Sequence, residues 1–194
     1  MNPYSNLTDQ ELIHLYISGN NAAFTALVYR HKNRIFTTII LLVRDRSLAE
    51  DIFQEVFIKI VNALQSGHYV DNSRFLAWAV RIAHNACISH FRKAHQRPST
   101  IVSYNDELGD YMELTEHSQE HHMIRAEVTE EINTMLDRLP GLQREALILR
   151  YYADLSYKEM AQTIGISINT ALGRVRYALM NLRKQAGVEQ LVSV

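Results

Sequence analysis

Apolar residues recur every three or four positions along most of the chain, and no stretch alternates in steps of two, so the pattern predicts helices and no strands. Thr8 and Glu11 have capping-box spacing, which predicts a short helix from Asp9 to Ile17 ended by Ser18, Gly19 and Asn20. A second helix should start near Ala22 and carry Phe24, Leu27, Val28, Ile35, Ile39 and Leu42 on one face. Asp45 and Ser47 offer a break and a new cap, after which Ala49, Ile52, Phe53, Val56, Phe57, Ile60 and Leu64 form the stripe of a third. Ser66 to Asn72 reads as a loop. Ser73 is the expected cap of a fourth helix that turns Phe75, Trp78, Ala79, Ile82 and Ala86 inward.

Arg97, Pro98 and Ser99 close this block. The residues after them, to about Glu120, are acidic and polar without an apolar period, and read as a linker. Helix should resume near Met123, stop at Pro140 and Gly141, and run again from about Leu142 to Tyr152. The chain thus divides into helical domains over 1–97 and 123–194, joined by an acidic linker over 98–122.

Ser156 and Glu159 form a second capping-box pattern, which opens a helix from Tyr157 to Ile164. Gly165 supplies the stop, Ile166 an apolar plug and Ser167 a fresh cap for a long helix to about Lys184. Helix, glycine turn and helix make a helix-turn-helix. Ala161, Ile164, Ile166, Ala171, Val175 and Leu179 fall where its helices would pack. The outer face of the second helix would carry Asn169, Thr170, Gly173, Arg174, Arg176, Tyr177 and Arg183, a positive, hydrogen-bonding surface suited to the major groove.

A formal net charge of −1 argues weakly against a nucleic-acid partner until its distribution is read. Met1 to Ala94 holds ten Lys and Arg against seven Asp and Glu, and Leu136 to Val194 holds eight against five. The stretch between has two against nine. Two basic blocks around an acidic middle imply different partners for different parts of the chain.

The remaining composition mainly excludes. With 194 residues, 47% of them hydrophobic, two small cores can be built. Cys87 is the only cysteine, so no internal disulfide forms, as suits a reducing compartment. The longest apolar stretch, Ile35 to Val43, is broken by Thr37 and Thr38 and is far short of the roughly 20 residues that span a bilayer. The N-terminal residues lack a basic region followed by an apolar core, so no secretory signal is expected. The reading is a soluble, cytoplasmic protein without membrane insertion. Glu11 and His14 have the spacing of half a di-iron site, but a second such pair is lacking. His117, His121 and His122 would need helical backbone to hold zinc and lie in the acidic stretch. Cys87 has no evident His–Asp partners, and no glycine-rich phosphate loop occurs. No metal, cofactor or catalytic residue is expected.

Three motifs in order carry a resemblance. LPGLQREALILRY from Leu139, LSYKEMA from Leu155 and IGIS from Ile164 resemble region 4 of extracytoplasmic-function (ECF) sigma factors of the sigma-70 family. DIFQEVF from Asp51 is similar to the region 2 signature, and FLAWAVRIAHN from Phe75, followed by Arg92 and Lys93, to the rest of region 2. The resemblance covers all but the linker. It implies a non-enzymatic protein that binds core RNA polymerase and directs promoter-specific initiation.

In that family region 2 binds the β′ clamp helices, opens the −10 element and captures a flipped base, while region 4 reads the −35 element and touches the β flap. A regulating anti-sigma factor is also implied. Asp51, Gln54, Glu55 and Ile58, at i, i+3, i+4 and i+7, share a helix face and would bind polymerase. Arg81, His84, Asn85, Ser89 and Arg92 share another face, with Arg74, Lys93 and Arg97 near, and would hold phosphates and melted bases of the −10 element. His68 and Tyr69 lie where the family builds its base pocket; flipping costs a few kcal/mol, which stacking must offset. Tyr69 suits that role or the closing of the core equally, and Trp78 reads as core. The −35 reader would comprise Ser167, Asn169, Thr170, Leu172, Gly173, Arg174, Arg176 and Tyr177. Leu172 stands where relatives often carry Lys or Arg, and Gly173 where they often carry Ser. Leucine cannot donate to guanine but can touch a thymine methyl.

The linker's carboxylates suit a plain tether or a phosphate mimic in the polymerase channel. The runner-up reading is a one-component regulator with an N-terminal sensing bundle and a C-terminal helix-turn-helix. Such a protein has no need for the stripe beginning at Asp51.

Overall fold

The computed structural model describes residues 3–69, 74–96 and 132–187, which form two compact helical units. All the described regular structure is helical, as the apolar period requires. The expected Ser73 cap, the block end at Arg97, Pro98 and Ser99, the acidic linker and the helix start near Met123 lie outside the described residues.

In the first unit α1 spans Asp9–Ile17, α2 Asn21–Val43, α3 Arg46–Gln65 and α4 Phe75–Gln96. The Thr8 hydroxyl accepts from the Glu11 backbone N–H while the Glu11 carboxylate accepts from that of Thr8, so two otherwise orphaned donors are satisfied. Between α2 and α3 the chain reverses within two residues. Arg44 takes the left-handed conformation at φ 57°, and the Asp45 carboxylate accepts from the Leu48 N–H at 2.9 Å. Asp45 is the cap; Ser47, the alternative, lies inside the helix. Helices α2, α3 and α4 pack on one another and α1 packs on α2. Their shared core holds Leu12, Leu27, Ile35, Ile39, Ile52, Val56, Ile60, Leu64, Phe75, Val80 and Cys87, all buried. Each of these aliphatic or phenyl side chains is worth about 1.5–3 kcal/mol when fully buried.

Polar groups fasten α1 to α2. Asp9 takes Arg30 Nη1 on Oδ1 and His31 Nε2 on Oδ2, each at 2.7 Å. Arg30 also donates to the Leu7 and Tyr4 carbonyls. The His31 ring is buried beneath Phe75, centroids 5.3 Å apart.

The second unit begins, among the described residues, with helical backbone over 132–137. Pro140 precedes α5 (Gly141–Leu147), so Pro140 and Gly141 start this helix as well as ending the preceding one. The sequence pattern predicts one helix to Tyr152, but the last turn widens into a π-helix over Ile148–Tyr152. It is closed by the Leu155 N–H on the Leu149 carbonyl and by Arg150 on the Leu155 carbonyl. Helix α6 (Tyr157–Ile164) starts with the expected Ser156/Glu159 capping box and ends at Gly165 with φ 69°, a conformation glycine adopts without a Cβ penalty. Ser167 then caps α7 (Ile168–Gln185), accepting from the Thr170 N–H at 3.0 Å. Ala171, Val175 and Ala178 are buried, and α7 packs on α5 and α6.

Burial raises the Asp9 pKa, but hydrogen bonds and charge from His31 and Arg30 outweigh it and hold the carboxyl below its ordinary value. A lowered folded-state pKa stabilises above the unfolded value and is lost as pH falls through the folded one. Thermal melts should therefore show an acid-side loss of stability, below about pH 4, that Asp9→Asn removes. An unchanged acid profile in Asp9→Asn would show that this cluster does not tie α1 down.

Candidate nucleic-acid interface

Helix α7 presents most of the expected reader as one surface. With Ala171, Val175 and Ala178 turned inward, Asn169, Arg176 and Met180 lie near the opposite side, with Thr170, Leu172 and Tyr177 on its flanks; all are exposed. Gly173 lies between them. The Ser167 hydroxyl, besides its capping bond, is 2.8 Å from the Thr170 hydroxyl, so both side chains are occupied locally.

Arg174 departs from the expected set. Its side chain is only 22% exposed and runs back to Glu145 of α5, itself 17% exposed, at 3.7 Å. Position 174 lies on the flank of α7 nearest α5, and the long side chain settles on the carboxylate. The Asn181 amide donates to the Gln143 carbonyl oxygen at 2.7 Å, a second bridge between the same helices.

On α4, Arg81, Asn85, Ser89, Arg92 and Lys93 are exposed, as expected. His84 is not. It is 5% exposed, among Val80, Ala83 and Cys87 on the buried side, and cannot share their face. The remaining −10 candidates stand at the helix entrance: His68 and Arg74 are exposed and Tyr69 half-buried. The Tyr69 ring meets the edge of Trp78 at 4.8 Å, and Trp78 continues to Phe75 at 5.8 Å. Tyr69 therefore does help close the core; Trp78 is half-buried within it. His68 Nδ1 lies 2.6 Å from the Ser66 hydroxyl.

On α3, Asp51, Gln54 and Ile58 are exposed and Glu55 half-buried, on the side away from Ile52, Val56 and Ile60. Ile58 is 61% exposed, a large apolar group in a row of acceptors. Lys59 pairs with Glu55 at 2.5 Å, a contact the spacing could have revealed. Its hydrogen bond, with the charges of His90 and Lys93 on α4 adding to it, holds the Glu55 carboxyl below its ordinary range.

Formal charge is sorted by helix, a signal residue-by-residue reading missed. Helices α2, α4 and α7 contain no carboxylate, while α3 carries Glu50, Asp51 and Glu55 beside Arg46 and Lys59.

The described residues contain no group of three or more His, Cys, Asp or Glu placed to hold a metal ion; Glu11 and His14 are both exposed, and His117, His121 and His122 lie outside the described residues. Cys87 is fully buried, and burial pushes its thiol up to about 12, leaving almost no thiolate near neutrality. No helix among the described residues is long and apolar enough to cross a membrane.

Comparison with known proteins places each unit in a family. The family described as Sigma-70 region 2 matches residues 27–97, covering α2 from Leu27 through α3 and α4, and Sigma-70, region 4 matches residues 129–183. The RNA polymerase sigma-H factor of Pseudomonas aeruginosa is 32% identical over 171 residues, 86% of this chain and 88% of that protein. The ECF RNA polymerase sigma factor SigM of Bacillus subtilis is 30% identical over 155 residues, 78% of this chain and 90% of that one. In fold, the chain is similar to the sigma factor RpoE of Bartonella quintana in its complex with the anti-sigma factor NepR, at a TM-score of 0.63 and 20% identity over 86% of this chain and 98% of that one. The chain belongs to the ECF sigma factors of the sigma-70 family, non-enzymatic proteins that direct RNA polymerase in transcription initiation.

Proposed function

We propose that the two units divide the work of initiation, with α3 holding core polymerase, α4 and its entrance handling the −10 element, and α7 reading the −35 element. The observation that carries this reading is the sorting of charge and exposure by helix. Every exposed formal charge on α7 is positive, at Arg176, Arg183 and Lys184, and Asn169 and Thr170 stand exposed at its capped N-terminus. Duplex DNA selects such a surface: cations meet phosphates and amide groups meet base edges.

The face of Arg81, Asn85, Ser89, Arg92 and Lys93 is the surface for the melted −10 strand, with phosphates on its cations. His68, Tyr69 and Arg74 bound the place for an extruded base. His84 is left out, since a buried ring reaches no nucleotide. The row Asp51, Gln54, Glu55 and Ile58 meets the β′ clamp helices: the acceptors take basic partners and Ile58 buries its apolar surface on docking. Region 4 also touches the β flap. The protein acts in the cytoplasm, under an anti-sigma factor of the kind that the fold relative binds, and covering α3 or α7 would be enough to silence it.

Two outcomes test the assignment. Arg176→Ala should leave the melting temperature unchanged. It should cost about 1–3 kcal/mol of promoter binding if Arg176 contacts a base, or lower the salt slope by about one unit if it contacts a phosphate. Arg174→Ala should do the opposite, lowering stability with little change in salt slope. Equal effects of the two on DNA binding would refute this placement of the reader.

Asp51→Lys with Glu55→Lys should abolish co-elution with core polymerase by setting like charges against the partner. Helicity and melting temperature should barely move, because the Glu55–Lys59 pair at the surface is worth at most about 0.5 kcal/mol. A double variant that still co-elutes at physiological salt would remove α3 from the polymerase interface.

A further inference from the structure

Gly173 is a glycine that the fold does not require. It sits inside α7 with ordinary helical backbone rather than a positive φ, and a Cβ built on it would meet nothing within 4 Å. Glycine is among the poorest helix formers, so the position is unfavourable for the free protein and is not compensated by packing within it. Where a backbone lacks a side chain without internal need, the remaining physical reason is close approach by something outside.

Beside it stand two large aliphatic residues exposed to water, Leu172 at 47% and Ile168 at 50%, one helical turn apart. They occupy the N-terminal half of α7, next to Asn169, the part of a reading helix that reaches base edges. Neither can donate or accept a hydrogen bond. In the major groove one feature alone rewards an aliphatic contact, the 5-methyl of thymine, which no other base presents.

We infer that bare Gly173 and the side chain of Leu172 form a recess for a thymine methyl, making Leu172 a specificity-determining residue for thymine in the −35 element. The inference rests on the proposed role of α7. Gly173 lets the helix axis lie close to the groove floor, and Leu172 removes the methyl from water. A second copy of the chain could also cover an aliphatic pair, but the same face carries Arg176 and α7 has no carboxylate. That charge favours a polyanion over a like-charged copy.

The test uses the full chain assembled with core polymerase. Promoter duplexes selected from a pool randomised in the −35 element are remade with each thymine replaced by uracil, which deletes only the methyl. At one or two positions the swap should weaken binding about fourfold, the value of one buried methyl-sized group. Leu172→Ala should bind the thymine and uracil duplexes equally. Gly173→Ala should keep or raise the melting temperature, since the added methyl meets no atom of the protein, yet weaken promoter binding. Binding that depends on the −35 sequence but ignores the thymine-to-uracil swap, or discrimination that survives in Leu172→Ala, would overturn the recess and leave the role of α7 standing. Binding indifferent to the −35 sequence would overturn both.

Discussion

The rotation of α7 about its own axis is the constraint on which its proposed role as DNA reader depends. Small residues at Ala171 and Ala178, with Val175 between them, let the helix lie against the rest of the unit. The bridges Arg174–Glu145 and Asn181–Gln143 then fix its angle against α5. A turn of the helix by one residue position, about 100°, would carry Arg176 off the outer face and expose the buried alanines. Two caps and the left-handed Gly165 hold the point where α6 hands over to α7, so backbone geometry positions the proposed reader before any DNA is present.

The first unit follows the same logic with a different surface. Its helices bury one apolar face each and leave the other to function. The interior of α2, α3 and α4 is filled largely by aliphatic and aromatic side chains, and the Lys, Arg, Asp and Glu residues of α3 and α4 lie outside it. Charge does fasten α1, whose Asp9 contacts Arg30 and His31 of α2. Acceptors on α3 and cations on α4 are therefore open to separate partners, which in the proposed function are polymerase and DNA.

Much of this was legible in the sequence because it is local. Capping boxes at Thr8 and Ser156, the stop at Gly165 and the cap at Ser167 depend on residues a few positions apart, and each was read correctly from spacing. The exposed row on α3 was legible for the same reason. What spacing could not supply was the path of long side chains at the edges of a helix face. Periodicity puts the Cα of residues 84 and 174 on the boundary, and only the neighbouring helices decide that His84 sinks beside Cys87 and that Arg174 bends to Glu145. The cluster around Asp9 joins residues more than twenty positions apart, and the π turn reflects how α5 closes onto Leu155. Neither leaves a periodic trace.

The orientation of α7 on DNA can be measured by placing a photo-crosslinking side chain at position 176 or at position 174 of the full chain, assembled with core polymerase on labelled promoter DNA. Position 176 should crosslink to the −35 element and position 174 should not. Crosslinking from position 174 with none from position 176 would mean that α7 meets DNA through a different face, and would contradict the assignment of the reader.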